Sequence, residues 1–257
     1  RIYSMTLDFV KMQAAGNDYI YIDCFEKRVY SPQKLAIKLS KRRYGAGGDG
    51  IILMKQSKCA DVAISIYNAD GSKAAMCGNA LRCVALYMKK FRFIRRKTVF
   101  VETQSGVREV KCLPGGYFSA EMGKAEFKSE CGCQLVDVGN LHRVEWRQSV
   151  QDADFFRLNN FRPDMYNTEI CRVVSRSEIE ARVYERGSGE TFSCGSGACA
   201  AAASGVKKGV LCPGKIAVSF PGGKLTVEVS ENYALRLIGG ADIVYCGRVS
   251  FDGKYDT

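Results

Sequence analysis

Histidine is almost missing from this chain: His142 is the only one in 257 residues. A lone histidine is more often structural than functional, so composition alone does not single it out. No apolar run approaches the ~20 residues of a membrane-crossing helix, which excludes that kind of span. The opening RIYSMTLDFV has no signal-like apolar core, so the protein is expected to stay in the cytosol. Cysteine is plentiful, but the patterns that would give it a structural meaning are lacking. Twelve in 257 falls below the roughly 8–10% of a disulfide scaffold. Cys131-Gly132-Cys133 is the one tight pair, and no second pair at zinc spacing accompanies it, so no metal is expected. Cys24, Cys59, Cys83, Cys112, Cys171, Cys199, Cys212 and Cys246 read as small buried hydrophobes or incidental thiols.

Acidic residues are outnumbered, 27 against 38 lysines and arginines, for a net charge of +11. The basic runs are Lys41-Arg42-Arg43 and the stretch from Lys89 to Lys97, the second interleaved with Phe91 and Phe93. A helix end and following strand with solvated charges account for the second run better than a nucleic-acid patch, because no binding motif accompanies it. Neither nucleic acid nor membrane is an expected partner. With 46% hydrophobic and 25% charged residues the composition is that of a soluble globular protein, long enough for two domains of about 120 residues.

What the chain does have is an internal repeat. Cys77 and Cys194 each precede a glycine and stand 117 positions apart, and the offset holds from Tyr67 and Tyr184 to Val110 and Val227. Each half runs strand, turn, Cys-Gly, helix, strand. In the first, Ile64, Ile66 and Tyr67 give way to the turn residues Asn68, Asp70 and Gly71; Leu81, Val84, Ala85 and Met88 then recur at helical spacing. In the second, RVYERGSGETFS is strand and turn, and CGSGACAAAASGVKK an alanine-rich helix closed by Gly209.

Both cysteines are therefore expected at helix N-termini, where unpaired N–H groups and the macrodipole favour the thiolate and lower a thiol pKa. The same N–H groups attract a carboxylate, with Gly78 and Gly195 allowing close approach. Two thiols facing each other across a cleft suit stereoinversion, one removing an α-proton and the other returning one to the opposite face.

The segments FVKMQAAGNDYIYID, RRYGAGGDGIIL, ISIYNADGSKAAMCGNALRC, VGNLH, RVYERGSGETFSCGSGACAAA and SFPGGKLTVE resemble the diaminopimelate epimerase family, from about Phe9 to Gly247. The resemblance implies an α/β (α+β type) fold of two pseudo-symmetric domains, each a mixed, mostly antiparallel sheet wrapped around a central helix, with the active site in the interdomain cleft. The first domain is expected over 1–114, with 248–257 as a segment that could complete it, and the second over 115–247. The implied activity is cofactor-independent interconversion of LL- and meso-diaminopimelate, a step in lysine and peptidoglycan precursor synthesis, and the family's tendency to dimerise implies a homodimer. By motif, Cys77 and Cys194 resemble the acid/base pair, and His142 and Glu185 the groups that help ionise them. Asn17, Asn79 and the amides of Gly78, Gly195 and Ser196 are expected near the reacting centre. Asn68, Asn140, Asn167 and Arg186 are expected on the distal amino acid end, Arg186 as a fixed fork for its carboxylate.

The chain departs from the family pattern in places. Leu141 replaces the proline that stiffens the approach to His142, Ala15 replaces a glycine, and Gly239-Gly240 replaces Gly-Pro. Two alternatives stand beside the main reading: a racemase for another amino acid such as histidine or proline, and a non-catalytic binding protein, against which the retention of both thiols weighs.

Overall fold

The computed structural model describes residues 5–130, 133–151, 154–155, 166–186 and 188–251. The chain divides into two units, one running up to Val110 and completed by the chain from Ala241, the other Lys111–Gly240. In chain order the elements are β1 (Met5–Ala14), β2 (Asn17–Asp23), α1 (Pro32–Leu39), β3 (Gly50–Lys55), β4 (Val62–Asn68), β5 (Lys73–Ala74), α2 (Gly78–Phe91), β6 (Thr98–Thr103) and β7 (Gly106–Cys112). There follow β8 (Tyr117–Lys124), β9 (Glu126–Glu130), β10 (Cys133–Asp137), β11 (Leu141–Trp146), β12 (Asn167–Ser175), β13 (Glu178–Glu185) and β14 (Gly189–Thr191). The last are α3 (Gly195–Lys207), β15 (Gly214–Phe220), β16 (Gly223–Val229), β17 (Ala234–Gly240) and β18 (Asp242–Phe251).

The first unit is a mixed sheet in the order β18-β1-β2-β3-β4-β6, parallel only between β2 and β3 and between β4 and β6. Its strands bury Ile20, Ile22, Ile51 and Leu53 at no more than 1% exposure. The apolar positions read at helical spacing put Leu81, Val84, Ala85 and Met88 inside, and α2 is buried from Gly78 through Ala85 against β1, β6 and β18. Between β1 and β2 the turn has only two residues, Ala15 and Gly16, with φ of 53° and 80°. Positive φ at both positions is what a type I′ turn demands, and it sets Asn17 at the first position of β2.

The second unit has the order β9-β10-β11-β12-β13-β15-β16-β17-β8, parallel at β11–β12 and β13–β15. At its centre α3 packs on β10 to β13 and β15 to β17. Ala198 and Ala200 through Ala203 are fully buried there. Small side chains let so many strands approach one helix, and a Cβ added at Gly205 would stand 3.0 Å from the Trp146 ring. Gly209, at φ 74°, terminates the helix as expected.

The repeat seen in the sequence is also a structural one. Moving along by the Cys77 to Cys194 spacing carries β4 onto β13, β5 onto β14, α2 onto α3, β6 onto β15 and β7 onto β16. Register repeats with it. Ile51 faces Tyr67 as Thr168 faces Tyr184, and Val62 pairs with Val101 as Ile179 pairs with Val218.

Candidate active site

Cys77 is the N-cap of α2, half-buried, with extended backbone at φ −146° and ψ 115°. Its thiol points at the Asn17 amide oxygen 3.6 Å away, a weak hydrogen bond with sulfur as donor. Asn17 in turn donates its Nδ2 to Asp49 Oδ2 at 2.9 Å, and the Asp18 backbone N–H reaches the same oxygen at 3.0 Å. Burial holds the Asp49 carboxyl above its usual range, against the opposing pull of the Asp18 N–H. The glycine-rich GAGGDG loop that carries Asp49 is tied down by two cations. Lys11, 4% exposed, pairs with Asp18 at 2.7 Å and donates to the Gly47 carbonyl, while Arg42 bridges Asp18 and Asp49. Burial alone would raise the Asp18 carboxyl, but the Arg42 and Lys11 bonds outweigh it and hold it low.

Gly78 and Asn79 open α2 and are both buried. One turn on, the fully buried Arg82 donates to Asn79 Oδ1 at 2.9 Å, so the Asn79 amide is fixed with its NH2 end left as the donor. Asn68 closes β4, where it accepts from the Tyr19 hydroxyl at 3.1 Å and donates to Ser72 at 3.0 Å. One Nδ2 hydrogen of Asn68 then remains for a ligand.

In the second unit Cys194 caps α3 in the same extended conformation, φ −132° and ψ 121°, and is 6% exposed. Its sulfur accepts the Gly197 N–H at 3.4 Å and lies 3.4 Å from the Ser196 hydroxyl. Glu185 closes β13, accepts from the Thr191 hydroxyl at 2.5 Å, and is also hydrogen-bonded to Cys194. The expectation of a lowered thiol pKa fails at Cys194. Burial, then the charges of Glu185 and Glu169, push this thiol well above the ordinary range, and the Ser196 and Gly197 bonds at the helix start do not compensate. These surroundings favour the neutral thiol at Cys194. Burial likewise raises the Glu185 carboxyl, with the Thr191 and Cys194 bonds pulling the other way.

His142 sits on β11, fully buried, with its Nδ1 2.7 Å from Glu169 Oε1 on β12, itself fully buried. The missing proline at Leu141 leaves no looseness here: His142 pairs with Val136 on one side and Asn167 on the other, and Glu169 holds the ring. Asn167, 8% exposed, accepts the Arg186 backbone N–H at 2.9 Å, and the Arg186 side chain is exposed just after β13. Asn140 is exposed in the β10–β11 turn, where its carbonyl accepts the Val138 N–H at 3.1 Å. Gly195 is buried at the first position of α3.

Of the expected residues, Cys77, Asn17 and Asn79 gather around the start of α2, and Cys194, Ser196 and Glu185 around the start of α3. Sequence reasoning missed three groups: Asp49, Arg82 and Glu169. The last two carry a readable signal, since a charge inside an apolar run, as in CGNALRCVAL or NTEIC, must find a partner when buried. The described cysteines, Cys77 and Cys194 included, are thiols. Cys131, Gly132 and the Cys133 side chain lie outside the described residues.

The basic runs are partly tied up within the fold. The second leaves α2 as a connection rather than a strand, since β6 begins only at Thr98. Arg92 pairs with Asp23 at 2.5 Å and covers the Phe25 ring, Arg96 pairs with Asp61, and Lys89 caps the carbonyls of Arg95 and Arg96. Among the described residues no helix is long and apolar enough to cross a membrane.

A thiol stands at each of two helix starts on a duplicated α+β frame. Solved structures with this fold include a predicted epimerase from Pseudomonas aeruginosa, with a TM-score of 0.76 and 14% identity over 95% of this chain and 99% of that one. Another is a hydroxyproline epimerase from Agrobacterium vitis, with a TM-score of 0.70 and 14% identity over 99% and 95%. At such identity the likeness concerns the fold alone. The sequence pattern of diaminopimelate epimerase matches residues 9–128 and 136–247. Proteins named diaminopimelate epimerase from Bacteroides thetaiotaomicron and Desulfovibrio desulfuricans are 37% and 35% identical to it, each alignment covering 95% of this chain and 98% of the relative. The chain belongs to the diaminopimelate epimerase family.

Proposed function

We propose that the protein interconverts LL- and meso-2,6-diaminopimelate by proton transfer between the substrate α-carbon and two thiols, without an organic cofactor. The observation that carries this reading is the matched placement of Cys77 and Cys194 as N-caps of α2 and α3, each beside a polar partner able to exchange or orient a proton. An amino acid α-proton is weakly acidic, so its removal needs a base on one face and a proton donor on the other. His142 and Glu185 take up the thiol protons as each cysteine is ionised, and Cys194, held neutral by its surroundings, supplies the proton in the direction in which Cys77, ionised, acts as base. In the reverse direction Glu185 takes the Cys194 proton.

Asn17, Asn79 and the amides of Gly78, Gly195 and Ser196 serve the reacting end of the substrate, since the N–H groups and positive dipole end of a helix start favour an anion. The distal amino acid end is held by Asn68, Asn140, Asn167 and Arg186. Only a substrate with a second carboxylate needs the Arg186 guanidinium.

Incubation with LL-diaminopimelate in deuterated water, with reductant and with no pyridoxal phosphate or metal added, should place deuterium at an α-carbon and yield the meso isomer. Absence of exchange under those conditions defeats the assignment. Arg186→Ala should weaken diaminopimelate use far more than use of any monocarboxylic amino acid that turns over; equal losses would favour a racemase of another amino acid.

A further inference from the structure

We propose that Glu169 is a positioning residue for proton transfer: it holds the His142 ring with Nδ1 as the donor, so that Nε2 is the nitrogen that exchanges protons. This rests on the reading that His142 takes part in the epimerase reaction.

Three features of the second unit carry the inference. The first is the contact itself, 2.7 Å between His142 Nδ1 and Glu169 Oε1 with neither side chain exposed. A carboxylate oxygen and an unprotonated ring nitrogen would repel at that distance, so a proton lies between them, and we assign it to Nδ1, donating to the carboxylate. The second is what the contact leaves over. His142 Nε2 and Glu169 Oε2 are buried, and among the described residues neither has a hydrogen-bond partner. Buried polar atoms are rarely left so, and a histidine whose acceptor nitrogen is kept open is prepared for a proton.

The third feature is the space reserved for the carboxylate. A Cβ added at Gly197 would stand 2.5 Å from Glu169 Oε1 and 3.2 Å from its Cδ. Gly197 is an ordinary helical residue of α3, so its backbone does not need glycine; the room is taken by Glu169. The carboxylate is thereby wedged between the histidine ring and the helix start that carries Cys194. In β12 it stands two residues from Asn167, which is paired with His142 across the parallel register, so strand geometry fixes its reach.

Among the described residues the titratable groups around the pair are few. Glu169 faces His142, Cys194, Cys171 and Glu185, and His142 faces Glu169, Asp137 and Glu185. When Nε2 accepts a proton the ring becomes a cation in a site closed to water, and Glu169 is the group hydrogen-bonded to it. A glutamine at 169 could turn its NH2 toward Nδ1, which forces the proton onto Nε2 and removes the acceptor.

Because His142 is the only histidine, its ring nitrogens can be read directly by NMR in the whole protein. The expected wild-type result at neutral pH is a protonated Nδ1 and an unprotonated Nε2. Glu169→Gln should transfer the proton to Nε2 and lower kcat by about 100-fold or more, with KM for diaminopimelate little changed. Glu169→Asp should keep the wild-type tautomer and recover part of kcat. Gly197→Ala, which displaces Glu169 without altering a polar group, should weaken the Nδ1–H hydrogen bond and move the ring signal from its wild-type position with a loss of kcat, and serves if the Glu169→Gln variant does not fold. An Nε2–H tautomer in the wild type overturns the proposal, as does a Glu169→Gln protein with a switched tautomer and unchanged kcat. A wild type with the expected tautomer and no epimerisation instead removes the reading on which the proposal rests.

Discussion

Asp49 takes the Asn17 amide nitrogen at 2.9 Å, and this one bond decides which end of that amide meets the Cys77 thiol. With the NH2 end committed to a carboxylate, the carbonyl oxygen must face the sulfur, and it accepts the S–H at 3.6 Å. Asp49→Asn would let the amide turn either way. Turnover should fall about 10- to 100-fold, the range of a lost hydrogen bond to a charged acceptor, while chemical denaturation still shows a cooperative transition. Undiminished turnover would show that the Asn17 orientation does not matter to Cys77.

The alanine at position 15 sits in the left-handed region at φ 53°. That conformation costs an L-residue with a Cβ about 1–2 kcal/mol, and the entropy glycine adds to the unfolded chain returns about 0.4–1 of it. Ala15→Gly should therefore raise the unfolding free energy by up to about 1.6 kcal/mol, read from the urea midpoint at constant slope. A lower midpoint would mean that the turn is not under this strain. The substitution leaves the first position of β2, Asn17, in place, so activity should be retained.

Much of this architecture is legible in the sequence, because the duplication doubles every signal. Strand, turn, Cys-Gly and helix are predicted twice at a fixed offset, and β4 to α2 and β13 to α3 lie where those signals put them. Local chemistry suffices there: Asn68, Asp70 and Gly71 make the turn, and Leu81, Val84, Ala85 and Met88 the buried face. What sequence does not reveal are partnerships between strands remote in the chain. Glu169 meets His142 because β11 and β12 are parallel neighbours, and Asp49 meets Asn17 because the loop before β3 folds back on the β1–β2 hairpin. The Cys194 error has a similar cause. A helix start predicts a lowered thiol pKa, but burial of the sulfur, and then two carboxylates from β12 and β13, reverse the balance.

Packing around α3 leaves a mechanical signature. Ala202 is fully buried in a helix that touches seven strands. Ala202→Leu should destabilise the protein by about 1–3 kcal/mol through overpacking, seen as a lower urea midpoint. The outcome contrary to the argument is a variant as stable as the parent, which would require a cavity beside the helix.

Glu185 has two opposing influences on Cys194, and a single substitution separates them. Its charge raises the thiol, second only to burial, so the thiolate fraction at a given pH is low and grows as pH rises toward the raised value. Glu185→Gln removes that charge, which favours the thiolate; alkylation of Cys194 at fixed pH, followed by mass spectrometry of its peptide, should become faster than in the wild type. In the proposed mechanism the same change removes the group that accepts the thiol proton, so epimerisation should fall by about 10²- to 10⁴-fold, the usual contribution of general acid–base catalysis. A more reactive sulfur in a less active enzyme is the expected combination. Slower alkylation in the variant would mean that the carboxylate activates the resting thiol, reversing the sign argued here.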